Sequence, residues 1–95
     1  MNFLEELGFN KTEISEVQVH TPAAILETVE KESETIVVNI NFLRELGLSN
    51  YKDIVINYCD MLLMDPSNFK GVFLKYDRDS LIEKLEKDFR IIEHL

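Results

Sequence analysis

Apolar positions recur at helical intervals along most of the chain. Leu81, Ile82, Leu85, Phe89 and Ile92 share one face at a period of 3.6, with Glu83, Lys84, Glu86, Lys87 and Arg90 on the other. The spacing predicts a single C-terminal helix, supported by Glu83–Lys87 and Glu86–Arg90 pairs at i, i+4. Residues 50–63 read the same way. Tyr51, Ile54, Val55, Tyr58 and Leu62 form a stripe, and Asp53, Asn57 and Asp60 lie opposite. Residues 34–46 are apolar around most of the circumference, as expected of a central helix buried on several sides. A strand over 35–42 is the competing reading. Val38-Asn39-Ile40-Asn41-Phe42 alternates strictly, and Ile36-Val37-Val38 is β-branched.

The end of that segment is a repeat. Asn2-Phe3-Leu4-Glu5-Glu6-Leu7-Gly8-Phe9-Asn10 returns as Asn41-Phe42-Leu43-Arg44-Glu45-Leu46-Gly47-Leu48-Ser49. Each copy is followed by an isoleucine, Ile14 or Ile54, and a weaker third copy starts at Phe73-Leu74-Lys75-Tyr76-Asp77. The spacings of 39 and 31 residues suit helical repeat units. Gly8 and Gly47 stand where a helix end wants a left-handed residue. Asn10 three before Glu13, Thr21-Pro22, Ser49 or Asn50, Asp65-Pro66, and Asp77 or Asp79 all read as helix starts. Helical endings on both strong copies favour helix over strand for 34–46.

The pattern Phe-Leu-x-x-Leu-Gly-(apolar), an isoleucine about six residues on, then Pro-x-x-(Ile/Leu)-Leu resembles the repeats of the mitochondrial transcription termination factor family. Leu7-Gly8-Phe9, Ile14, Pro22, Ile25 and Leu26 carry it best. Leu46-Gly47-Leu48, Ile54 and Leu62-Leu63 form a second copy without the proline at that place. The resemblance implies three-helix units stacked in a curved superhelix, with basic residues along the curve gripping nucleic acid. The chain itself is acidic, has no Arg-rich transit peptide at its start, and holds about three units.

Charge changes the picture. The net charge is −8 over 95 residues, with 45 % hydrophobic and 29 % charged positions. This is too apolar for a disordered acidic tail, and the length fits one domain, 1–95. Residues 1–33 carry two lysines against seven glutamates, net −5; residues 65–95 carry six cations against seven acids, net −1. An acidic face around Glu13, Glu16, Glu27 and Glu30 is thus the candidate partner-binding surface, suited to a protein with a basic surface. The alternative, a nucleic-acid footprint, rests on Lys70, Lys75, Arg78, Lys84, Lys87 and Arg90. These are interleaved with acids, which disfavours phosphate contact.

Little else points to chemistry. Cys59 is the one cysteine, so no internal disulfide forms, and its helical neighbours Val55 and Leu62 suggest an inert, partly buried thiol. His20 and His94 belong to no zinc-ligand spacing. Asp77-Arg78-Asp79 fails as a calcium loop because Ile82 stands where glycine is needed. No catalytic residue, cofactor or metal is therefore expected, and an enzyme is the remotest reading. No apolar run spans a membrane, and no secretory leader opens the sequence, so a cytoplasmic location is expected. The residues predict an all-α domain of about six short helices in helical-hairpin repeats, stacked as a small superhelical domain. Their predicted role is a non-catalytic protein–protein interaction module, inhibitor or adaptor.

Overall fold

The chain breaks at each of the helix-terminating signals and at places that carry none. In the computed structural model, which describes residues 1–95, seven α-helices and two 3₁₀ segments follow one another. They group in threes. The first unit is α1 (Asn2–Glu6), α2 (Lys11–His20) and α3 (Ala23–Lys31). The second is α4 (Ser33–Leu46), α5 (Tyr51–Asn57) and a 3₁₀ segment, Cys59–Leu63. The third is α6 (Pro66–Leu74), α7 (Arg78–Lys87) and a second 3₁₀ segment, Phe89–His94. The fold is all-α with no strand, so the alternative strand over 35–42 is wrong. Those residues lie inside α4, the longest helix at 14 residues.

The two strong repeat copies end as their glycines require. Gly8 and Gly47 have φ of 93° and 99°, and no other residue has positive φ. Phe9 and Leu48, next in each copy, are buried. In the third copy, which has no Leu-Gly, the turn through Tyr76-Asp77 is made without a left-handed residue.

Several helix starts differ from expectation. Asn10 and Glu13 form a full capping box, with bonds of 2.8 and 2.9 Å. Asp65 and Asp77 cap α6 and α7. Thr21 does not cap α3; it is extended and buried before Pro22, and α3 starts without a side-chain cap. Neither Ser49 nor Asn50 caps α5. Both side chains turn to α7 instead: Ser49 Oγ donates to Glu86 at 2.6 Å and Asn50 Nδ2 to the Leu85 carbonyl at 2.9 Å.

The two long stripes are each broken. Residues 50–63 stop being α-helical at Tyr58, where φ is −131° and ψ 39°. Asn57 Nδ2 bonds back to the Asp53 carbonyl at that point. The C-terminal helix stops at Asp88, whose carboxylate accepts from the Arg90 N–H and restarts the chain as 3₁₀. Hence the expected Glu86–Arg90 pair is absent: Glu86 serves Ser49 and Arg90 pairs with Asp88 at 3.0 Å. Glu83–Lys87 does form, at 3.2 Å.

The core runs through α4. Ile36, Ile40, Leu43 and Leu46 are buried, and Phe42 meets Phe69 of α6 edge-on and Phe73 at a tilt, with centroids 6.1 and 5.7 Å apart. Asn39 is buried in the same helix with no exposed surface. Its Nδ2 donates to the carbonyls of Leu62 and Met64, each at 2.9 Å. These carbonyls end the first 3₁₀ segment and have no helical donor.

Asn39→Ala should cost about 2–4 kcal/mol, because it leaves two carbonyls without their donor inside the protein. A urea midpoint within error of wild type would refute this. The glycines predict opposite signs. Gly47→Ala should lower stability by about 1–2 kcal/mol, since its φ is left-handed. A Cβ there would also sit 3.4 Å from the Arg78 guanidinium. Gly71→Ala, mid-helix in α6 with open space at the Cβ, should raise it by about 0.5–1 kcal/mol. Thermal melts of both variants decide the pair.

Candidate functional site

The four candidate glutamates are not equivalent. Glu13 Oε1 accepts from the Asn10 N–H and from Lys52 Nζ, 3.2 Å away. The Asn10 N–H, then Lys52, holds its carboxyl below the usual range. Glu13 thus ties α2 to α5 and is occupied within the fold. Glu16 and Glu27 are exposed on α2 and α3 and pair with no cation of the chain. Glu30, half exposed, faces the Met1 ammonium at 3.2 Å. Glu5, Glu6, Glu32 and Glu34 are exposed and unpaired as well.

Most of the six candidate cations have partners. Arg78 Nε donates to the Leu46 carbonyl at 3.1 Å, closing the C-terminus of α4. Lys87 and Arg90 are in ion pairs with Glu83 and Asp88. Lys70 lies 5.9 Å from the Phe42 ring centroid, and Lys75 donates to the Leu95 carbonyl at 3.1 Å. Lys84 alone of the six has no hydrogen-bond, ion-pair or ring partner.

Cys59 is more deeply buried than expected, and burial, then Asp60, pushes its thiol up to about 12. At neutral pH it is a protonated core side chain rather than a nucleophile. Tyr58 donates its hydroxyl to Glu93 at 2.7 Å, and partial burial, then that carboxylate, raises it to about 12. His20 and His94 are exposed and far apart in sequence, and no cluster of three or more His, Cys, Asp or Glu is arranged to hold a metal ion. Asp77 of the Asp77-Arg78-Asp79 stretch is a helix cap.

Four large apolar side chains are exposed: Val19 on α2, Val38 on α4, and two near the end of α6. Leu74 is 66 % exposed and Tyr76 is 40 % exposed, side by side at the end of α6. Their signal was present. Phe69, Val72 and Phe73 make the helical stripe of α6, and Leu74 falls off it. At the spacing of 31 residues Asp77 and Arg78 stand where the second copy has Leu-Gly, and Tyr76 comes just before them. No family model, curated protein or solved structure matches the chain.

The polar contacts joining α7 to the second unit predict an acid-sensitive junction. Glu86 accepts from both the Ser49 hydroxyl and the Ser49 N–H, which hold its carboxyl below the usual range. Glu13 and Asp88 are lowered too. A lowered carboxylate stabilises the fold above its unfolded pKa of about 4.3 for glutamate or 3.9 for aspartate, and that stability fades as pH falls through the folded pKa. Unfolding followed by circular dichroism from neutral pH to about pH 2 should show stability falling below about pH 4. Glu86→Gln should flatten part of that slope. An unchanged slope in the variant would remove Glu86 from the account.

Proposed function

We propose that the chain is a non-catalytic interaction module, a small inhibitor or adaptor, that presents its acidic N-terminal third to a partner with a basic surface. The observation that carries this reading is an asymmetry of pairing. The glutamates of α1 and α3, with Glu16, Glu32 and Glu34, are exposed and free of lysine or arginine. Most cations of the third unit are spent on carbonyls, rings and neighbouring acids. An unpaired acidic face steers a basic partner toward it and speeds association at low salt. No helix is long and apolar enough to cross a membrane. The free thiol of Cys59 suits a reducing, cytoplasmic setting.

The second reading is a nucleic-acid-binding helical repeat of the kind the mitochondrial transcription termination factor family uses. The division into three successive units supports it. The ion pairing of Lys87 and Arg90 counts against it, because phosphate contact needs uncompensated charge.

Immobilised chain should capture basic proteins from a lysate, with recovery falling as salt rises. A variant with Glu16, Glu27 and Glu30 all changed to Gln should lose most of that capture. Glu13 is left intact because its carboxylate holds α2 to α5. Equal recovery by the triple variant would overturn the acidic-face reading. In parallel, the wild-type chain should not retain single-stranded or duplex DNA or RNA even at low salt. Retention that weakens steeply with salt would favour the second reading.

A further inference from the structure

Each internal turn of the repeat is covered by the second helix of the next unit. Lys52 of α5 donates to the Gly8 carbonyl at 2.9 Å and lies 5.2 Å from the Phe9 ring centroid, while Tyr51 meets that ring edge-on at 6.2 Å. Over the Gly47 turn, α7 supplies Arg78 to the Leu46 carbonyl, Glu86 to Ser49, and the Leu85 carbonyl to Asn50. Ile82 closes on Gly47 itself. The third turn, between α6 and α7, has no such helix over it; the one long-range bond there is from Lys75 to the Leu95 carbonyl at 3.1 Å. Leu74, Lys75, Tyr76 and Asp77 are all exposed there. Beside them opens a groove of about 250 Å³, with Tyr76, Leu81, Ile91 and Leu95 in its wall and Lys84 and Asp77 at its rim.

We propose that a second copy of the chain covers this turn in a two-fold, tail-to-tail dimer, with Leu74 of each copy entering the groove of the other. Space is sufficient, since a cavity of about 150 Å³ already takes up a benzene ring. Charge selects the partner and the symmetry. With a net −8 on each chain, two copies repel except where their facing surfaces are nearly neutral. Residues 65–95 meet that condition at −1, whereas residues 1–33 carry −5. A two-fold contact also needs a surface that complements itself. Lys84 and Asp77, both lining the groove, provide both signs on one face. A head-to-tail contact would set the −5 third against a face with no compensating excess of cations. Tail-to-tail docking leaves the acidic thirds at the outer ends, so the dimer stands or falls independently of the function proposed above.

Sedimentation velocity on the whole chain, from about 10 μM to about 1 mM, tests this. The mass should rise with concentration from 11.1 kDa toward twice that value and then stop. Leu74→Asp should weaken association at least about tenfold, because it carries a charge into the apolar contact. Leu74 is largely exposed in one chain, so the variant should keep the wild-type circular dichroism spectrum and melting point. Val19→Asp, at a site 80 % exposed on α2, should dimerise as wild type does. A wild-type chain still monomeric at about 1 mM overturns the proposal. So does undiminished dimer in Leu74→Asp, equal weakening by Val19→Asp, or a ladder of ever larger species.

Discussion

The constraint on which this fold turns is the supply of donors to helix ends. A helix leaves its last carbonyls without partners, and nine short elements in 95 residues multiply those ends. Long-range side chains answer them. Asn39 serves Leu62 and Met64, Lys52 serves Gly8, Arg78 serves Leu46, and Asn50 serves Leu85. Every one of these bonds joins elements at least 23 residues apart. The same contacts that complete the helices therefore also hold one hairpin against another. Apolar burial supplies most of the driving force, but it is non-directional; the donors fix where each end must lie.

This division of labour explains what the sequence reveals and what it hides. Signals confined to one turn are legible. Gly8 and Gly47 mark left-handed ends, Asp65-Pro66 and Asp77 mark starts, and Asn10 with Glu13 forms a local capping box. One buried face of α4 is legible as well, because Ile36, Ile40, Leu43 and Leu46 are core residues at helical spacing, but the helix is not buried all round: Val38 is 44 % exposed. The breaks at Tyr58 and Asp88 are not. A 3₁₀ segment of five or six residues has a period of three, too close to 3.6 to separate over so short a run. The apolar stripe passes through both breaks without a gap.

Side chains that act at a distance are the hardest to read. Asn39 in Val38-Asn39-Ile40 looks like the polar half of a strand, yet it is the most constrained polar group in the core. Lys52 and Arg78 look like surface cations. Their acceptors are 44 and 32 residues away, and no periodicity links them. Ser49 and Asn50 are typical capping residues, so the pattern assigns them to α5 when their partners are on α7. The candidate surface suffers from the same effect. Glu13 and Glu16 are interchangeable on a charge map of the sequence, and only the arrival of Lys52 separates a structural carboxylate from a free one.

That separation bears on how the molecule divides its charge. Cations near the junctions between units reach across to carbonyls and rings while staying in contact with solvent: Lys52 is a third exposed and Arg78 is exposed. Acids have no such demand inside a helical fold once the N-termini are capped, and only Asn10, Asp65, Asp77 and Asp88 do that work with side-chain oxygens here. The remaining glutamates are left on the surface. A helix end thus fixes where a cation reaches without taking its charge out of solvent.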